Sequence, residues 1–232
     1  MTFLLTFHNV LKTLNYLRRI KYFVQVGVHD GEMHDPLRAV ILENDWRGIL
    51  IEPQTDMLEK CRHNYQNKEA LDFINAAVHP TESVITLYKV ENPKDYSHTG
   101  WASVNSDRFS YTIYENSFTE EQVQAVPLME VIKDCGFKSV DLLQIDTEGF
   151  DAEVIKMFDF DSYHPALIQY EHCHLSTKEY ENSINYLKGR DYICVPKKND
   201  TFALRKDLIN PIFIASYLFT RVSRSLQSRL FN

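Results

Sequence analysis

The chain has 232 residues, 44% hydrophobic and 12% aromatic, with a formal charge of −7. That is enough apolar material for one sizeable core and excludes general disorder. The acidic balance argues against nucleic acid as a partner, since a broad nucleic-acid surface needs basic density to displace counterions.

The chain begins MTFLLTFHNVLKTLNYLRRIK, with no basic stretch before its short apolar run and no small-residue cleavage site. A signal peptide is not expected. No window approaches the ~20 apolar residues of a membrane span. Phe7, Val10, Leu11, Leu14 and Leu17 recur at helical spacing, which predicts an amphipathic helix over 3–19 that caps the core. A strand over 22–26 follows, then a helix over 35–44, a strand over 48–51, a helix over 55–67 and a strand over 71–77. Residues 83–89 read as a fourth strand, antiparallel to the rest. Residues 91–124 read as a long polar loop, in which Tyr96, Trp101, Phe109, Tyr111 and Tyr114 supply aromatic density. A helix over 128–135, an apolar strand over 140–145, a helix over 150–158, a strand over 166–170 and a helix over 177–188 complete the alternation. Two last strands, 192–195 and 201–204, pair through a turn at 197–200.

Strands alternating with helices predict an α/β fold, a mostly parallel sheet with helices on both faces. One domain over 1–206 is expected, followed by a tail over 207–232. From Leu208 onward there is no acidic residue, and Arg221, Arg224 and Arg229 are the only charges. Phe219, Val222, Leu226 and Leu230 give the tail an amphipathic, basic helical pattern. Such a helix docks on its own core or on a second copy, or lies on an anionic membrane or a protein partner. The four cysteines, Cys61, Cys135, Cys173 and Cys194, form no CxxC pair. Scattered cysteines of this kind fit free thiols in a reducing, cytoplasmic setting.

In parallel sheets ligands bind at the carboxyl ends of the strands. Those ends carry Gly27-Val28-His29-Asp30-Gly31-Glu32, Glu52-Pro53, Asn75-Ala76, Asp146-Thr147-Glu148-Gly149 and Glu171-His172-Cys173-His174. Taken singly, each has a plainer role. Gly27 and Gly31 allow a tight turn, Glu52 is a solvated carboxylate, and Asn75 a turn residue. Asp146 is a helix N-cap, Glu148 a first-turn carboxylate, and His172 and His174 are packed histidines. The functional case rests on their joint placement.

The first turn differs from a dinucleotide fingerprint. His29 stands where the second glycine admits a pyrophosphate, and Asp30, Glu32 and Asp35 would repel one. No GxxxxGK[ST] is present, which excludes a P-loop. S-adenosylmethionine (SAM), with a sulfonium and an ammonium, suits an acidic turn. Glu52, 21 residues after Gly31, is placed to accept hydrogen bonds from a ribose diol.

The stretches VQVGVHDGEMHDP, GILIEPQ, FINAAV, VDLLQIDTEGFDAEVIKMFDF and LIQYEHCHL resemble the FkbM family of SAM-dependent methyltransferases, in order and spacing, from 22 to about 204. The resemblance implies a class I methyltransferase, Rossmann-like fold, with a seven-stranded sheet ending in an antiparallel hairpin. It implies O-methylation of a sugar, glycan or natural-product hydroxyl (polyketide or peptide). Carried over, Gln25, Gly27, Asp30 and Gly31 line the methionine part of SAM, Glu52 and Pro53 the ribose, and Asn75 and Ala76 the adenine. Asp146 lies beside the methyl donor. Glu148, Glu171 and His172 face the acceptor, with Trp101, Ser103 and His174 as further substrate contacts. His29 departs from the small polar residue usual in the family.

Methyl transfer needs a positioned acceptor and a base for its proton. His172 is the expected base, with Asp146 or Glu171 as base or as orienter of the histidine. A divalent ion, Mg²⁺ or Mn²⁺ on Asp146, Glu148, Glu171 and His172, is the second route rather than the first. Two other functions compete. One is an inactive methyltransferase-like module recruited through its tail. The other is a nicotinamide oxidoreductase, against which His29 and the acidic turn both count.

Overall fold

The computed structural model describes residues 5–110, 112–115 and 117–230, with side chains described up to residue 220. Among the described residues, ten strands form two sheets and seven α-helices accompany them. The main sheet contains β1 (Tyr22–Val26), β2 (Arg47–Ile51), β3 (Leu71–Ile74), β7 (Leu142–Ile145), β8 (Leu167–Glu171), β9 (Tyr192–Pro196) and β10 (Asp200–Arg205). Its order is β3-β2-β1-β7-β8-β10-β9, with β10 antiparallel to both of its neighbours. This is a mixed α/β, class I Rossmann-like sheet. The strand order reverses at β1 and β7, which leaves a crevice at their carboxyl ends.

The central strands β1, β2, β7 and β8 are buried on both faces, as expected of parallel strands, while the edge strands β3 and β9 are partly exposed. Phe23, Leu142, Leu167 and Phe202 pack on one face with α1 (Phe7–Tyr16), α2 (Arg38–Glu43) and α3 (Thr55–Asn64). Val24, Ile49, Leu143, Ile168 and Ala203 pack on the other with α4 (Leu128–Asp134), α5 (Asp151–Met157) and α6 (Thr177–Lys188). The period-2 alternation along each strand decides which residue serves which core. Thr6 caps α1 by accepting from Asn9 N, and Val10, Leu11 and Leu14 are its fully buried stripe.

Three expectations are corrected. The predicted strand over 71–77 breaks after Ile74; Ala77–Val78 (β4) turn into a second sheet, where they pair with β6 (Phe118–Val126). The predicted loop over 91–124 ends in that nine-residue strand, whose antiparallel partner is β5 (Val84–Val90). Its alternating exposed residues (FTEEQVQAV) mask the strand, because one face meets water and only Val123 and Ala125 are buried. The helix predicted over 35–44 is shorter, because Asp35 turns back to accept from Leu37 N before α2 begins.

The tail forms α7 (Pro211–Leu230) and packs on α1. Phe213 and Tyr217 are buried, and the Thr13 and Thr220 hydroxyls lie 3.1 Å apart. The tail therefore docks on its own domain. Arg221, Val222, Arg224, Leu226, Arg229 and Leu230 lie outside the residues with described side chains. No helix among the described residues is long and apolar enough to cross a membrane.

Candidate active site

One cavity of about 570 Å³ opens at the carboxyl ends of β1, β2, β7 and β8. The small sheet (Ala77, Val78, Leu87) and the segment Ser97–Val104 (Ser97, Gly100, Trp101, Ala102, Val104) roof it.

Gly27 has φ +79°, and a Cβ there would stand 1.7 Å from the Asp146 carbonyl oxygen. Only glycine lets β1 turn this close to β7. Gln25, Gly27 and His29 reach the cavity; Asp30 and Gly31 do not. Asp30 folds back into its own turn, where it accepts from Glu32 N, Met33 N and the Tyr96 hydroxyl. Burial raises its pKa, but these hydrogen bonds outweigh it and hold the carboxyl below its usual range. Gly31 faces away, and a Cβ there would meet Tyr65 at 2.6 Å and Cys61 at 2.7 Å. Both residues shape the turn from behind rather than line the pocket.

Glu52 is 4% exposed. Its two carboxylate oxygens accept from His29 N and Gln54 N, each at 2.9 Å. Burial pushes its pKa up to about 7 against those two hydrogen bonds. Pro53 and Ala76 line the cavity beside it. Asn75 does not: its amide donates to Glu52 O and Pro53 O, so it pins the turn that presents Glu52.

On the other side, Asp146, Glu148 and Glu171 bring carboxylate oxygens within 4.8 Å of one another. Asp146 does not cap a helix, since α5 starts at Asp151. Glu148 is not in a helical first turn either; its φ is +53°, a left-handed conformation costly for a non-glycine residue. The buried Asp151 holds this loop. One of its oxygens accepts from the Thr147 hydroxyl (2.8 Å) and from Thr147 N and Gly149 N, the other from Glu171 N. Burial, then the charges of Glu171 and Glu148, lift Asp146 well above the carboxylate range. Burial, with Glu148 and Asp151 adding to it, pushes Glu171 up to about 8. Glu148 is raised by burial, and Arg108 opposes the rise through a 2.6 Å ion pair.

His172, the expected base, is not in this cavity. Its ring stacks on Tyr180 with centroids 4.6 Å apart, and its Nδ1 lies 3.1 Å from the Thr201 hydroxyl. Strand alternation turns it away from Glu171. Among the described residues, the converging ligand groups are Asp146 with Glu148 and Glu171, and Glu171 with Cys173 and His174. The four-ligand metal set with His172 is therefore not assembled. His174 comes closer, with Nε2 3.3 Å from Glu148 and 3.6 Å from Glu171. Burial, then the Arg108 charge, lowers its pKa to about 4. Ser103 is 1% exposed and off the cavity; its hydroxyl donates to Glu148 O at 2.8 Å. Trp101 does line it, with the Arg108 guanidinium 4.9 Å above its ring. Phe109 and Tyr114 pack back into the fold, and Tyr111 lies outside the described residues.

The segment over the cavity is tied to both sides. The Tyr96 hydroxyl donates to Asp30, and Thr99 Oγ1 lies 2.9 Å from His29 Nε2. Ser103 and Arg108 hold Glu148. Sequence reasoning missed Arg108, Gln144, Gln169 and Asp151. Asp151 sits in a helix-forming run, and the two glutamines are embedded in apolar strands where only cross-strand register shows what they share.

Among the described residues, five buried polar atoms have no hydrogen-bond partner: Gln25 Oε1, His29 Nδ1 (3.5 Å from Asp30), Gln144 Oε1, Gln169 Oε1 and Glu171 Oε2 (3.6 Å from His174 Nε2). All five residues line this one cavity. Buried polar groups are nearly always paired, so a cluster of orphans marks a place where a polar ligand completes the bonding.

The chain is similar in structure to methyltransferase FkbM from Methylobacillus flagellatus KT, at 15% identity and a TM-score of 0.49, over 80% of this chain and 44% of that one. It is also similar to precorrin-6y C5,15-methyltransferase from Geobacter metallireducens GS-15 (12% identity, TM-score 0.44, 84% and 88% covered). A methyltransferase from Geobacter sulfurreducens gives 13% identity and a TM-score of 0.45, with 86% and 78% covered. No curated protein matches the chain. The family model of the methyltransferase FkbM domain matches residues 25–194. The chain belongs to the FkbM methyltransferase family.

Proposed function

We propose that the protein is a SAM-dependent O-methyltransferase acting on a hydroxyl of a sugar, glycan or natural product. The observation that carries this reading is the set of five polar atoms without hydrogen bonds, all from residues that line one cavity. Four of the five are hydrogen-bond acceptors, so they call for a ligand rich in donors and positive charge. The volume is within the usual range of about 300–1,000 Å³ for small-molecule sites.

The residues present fit SAM. Gln25 donates to Asp35 at 2.9 Å, which fixes its amide so that Oε1 is free to accept from the ammonium. Glu52 keeps unused lone pairs on both oxygens for the ribose hydroxyls. Pro53, Ala76 and Val78 form an apolar wall suited to adenine. Asp30, Gly31 and Asn75 support these groups without touching the ligand. When bound, SAM supplies a methyl group on an activated sulfonium.

The chain's own work is to place the acceptor, exclude water and remove one proton. Glu171 is the candidate base. Its Oε2 is buried, makes no hydrogen bond and lines the cavity, and its raised pKa makes the ionised form a strong base. Asp146 and Glu148 turn their carboxyl groups to the place of the cationic methyl donor, whose charge favours their ionised forms, and Arg108 pairs with Glu148 at 2.6 Å. Trp101 offers its ring as a wall for the acceptor.

Calorimetric titration with S-adenosylhomocysteine tests the reading. Saturable binding is expected, weakened in Glu52→Ala by about 1–3 kcal/mol, the scale of hydrogen bonds to a charged group. Well-folded protein that binds neither this ligand nor SAM refutes it.

A further inference from the structure

The unpartnered glutamines are not scattered. Gln25, Gln144 and Gln169 occupy one register across β1, β7 and β8. They are 2%, 3% and 7% exposed. Equal register on adjacent strands puts the three side chains on the same face. Two residues earlier the same face carries Phe23, Leu142 and Leu167, again in register and fully buried in the core. Two residues later, by the same alternation, come Gly27, Asp146 and Glu171. The face thus changes in layers: hydrocarbon and then amide on all three strands, then carboxylate on β7 and β8, with Gly27 leaving the space open on β1. The amide layer is the floor of the cavity, and adjacent amides stand about 4.8 Å apart.

We propose that Gln144 and Gln169 select the methyl acceptor, and that they fit a neutral compound presenting two or more hydroxyls along one edge. This inference rests on the methyl-transfer reading. The reacting hydroxyl lies at the carboxylate layer, beside Glu171, and neighbouring hydroxyls donate to the amide floor. Each amide oxygen requires a donor. A carboxylate or phosphate acceptor brings none and meets Asp146, Glu148, Glu171 and Asp200 on the same walls. A simple phenol uses its single hydroxyl at the carboxylate layer and leaves the floor unpaired. Sites built to hydrogen-bond a substrate hydroxyl reject analogues lacking it far more strongly than apolar pockets reject a missing methylene.

The test uses the whole chain, Gln144→Leu and Gln169→Leu, with Gln169→Met in reserve should leucine prevent folding. Each is titrated with S-adenosylhomocysteine. Each is then assayed for transfer from SAM to methyl pyranosides of the common aldohexoses and 6-deoxyhexoses, to phenols and catechols, to hydroxy acids and to amines. Affinity for S-adenosylhomocysteine within twofold of wild type is expected in both variants. Transfer is expected to pyranosides, with KM raised at least tenfold in each variant. The side-chain amide NMR signals of Gln144 and Gln169, assigned by their loss in the variants, shift when the best pyranoside is added. Three results overturn the inference: transfer to phenols, acids or amines with the variants within twofold of wild type; no transfer to any pyranoside by protein that binds S-adenosylhomocysteine; or a tenfold loss of S-adenosylhomocysteine affinity in a variant, which puts the amide row in the cofactor pocket. A wild-type chain that binds no S-adenosylhomocysteine overturns the methyl-transfer reading itself, and this inference with it.

Discussion

The two sides of the cavity are built on opposite principles. At the ends of β1 and β2 the carboxylates and Asn75 are already satisfied, and only Gln25 Oε1 and His29 Nδ1 lack a hydrogen bond among the described residues. Glu52 accepts two backbone N–H groups, Asp30 three donors, and Asn75 bonds to the turn it stabilises. At the ends of β7 and β8 the carboxylates are in conflict. Asp146, Glu148 and Glu171 crowd together, their pKa values are raised by burial, and Glu171 Oε2 makes no hydrogen bond. A side whose carboxylates are held in place before the ligand arrives suits binding of an invariant molecule. A side left in electrostatic tension suits chemistry, because a cationic ligand relieves the tension. The Ser97–Val104 segment is anchored to both, through Thr99 on one and Ser103 on the other.

The sharpest way to break this arrangement is Gly27→Ala. Its Cβ would collide with the Asp146 carbonyl, backbone that does not yield. A loss of stability of about 3 kcal/mol or more is expected, and with it loss of ligand binding, by denaturant unfolding and calorimetry. Next is Glu171→Gln, which should separate the two sides. Methyl transfer falls by roughly 10²–10⁴-fold, the range for a general base, while affinity for S-adenosylhomocysteine stays within about twofold. Equal losses of both would show that Glu171 belongs to the cofactor side.

The difference between the sides also explains what the sequence disclosed. The sheet was legible because buried parallel strands are nearly continuous apolar runs, and LLQI and LIQYE stand out. Strand β6 was not, because its exposed face reads as polar loop. At the ends of β1 and β2 the sequence was partly legible: Gly27 and Glu52 line the cavity as expected, whereas Asp30, Gly31 and Asn75 lie off it. The ends of β7 and β8 were only half legible. Asp146, Glu148 and Glu171 follow their strands in sequence, but His172 was preferred over its neighbour for its usual pKa. The pleat turns His172 outward, and the chain beyond it brings His174 to the two glutamates instead. Arg108 comes from a segment forty residues away from Glu148, and no local pattern announces such a pair.

A smaller effect is a dependence of stability on pH, to which Glu52, pushed up to about 7, adds in the same direction as Glu171. Glu171, at about 8 in the fold, titrates near 4.3 in an unfolded chain, so the folded state binds more protons between those values. Stability from this group is therefore lost as pH rises toward 8. His29, His172 and His174 are lowered by burial, and their opposing contribution is complete above about pH 6.5. Between pH 6.5 and 8.5 the melting temperature of the free protein should fall by about 2–5 °C. Saturating SAM should reduce that slope by stabilising the ionised carboxylates. A flat or rising profile in the free protein would show that the carboxylate cluster is not strained.

The smallest expected effect concerns metal. Arg108 already supplies a cation to Glu148 at 2.6 Å. Exhaustive chelation should change the transfer rate by less than about twofold, and restoration of a lost rate by Mg²⁺ or Mn²⁺ would replace the Glu171 base with a metal-assisted route.

The most direct measurement is a crystal structure of the complex with S-adenosylhomocysteine. The account predicts the ribose hydroxyls on Glu52, the amino group on Gln25 Oε1, and the sulfur facing Asp146 and Glu171 across the space above Gln144 and Gln169. A ligand bound elsewhere, or one that leaves Gln25 Oε1 and Glu52 without contact, would contradict it.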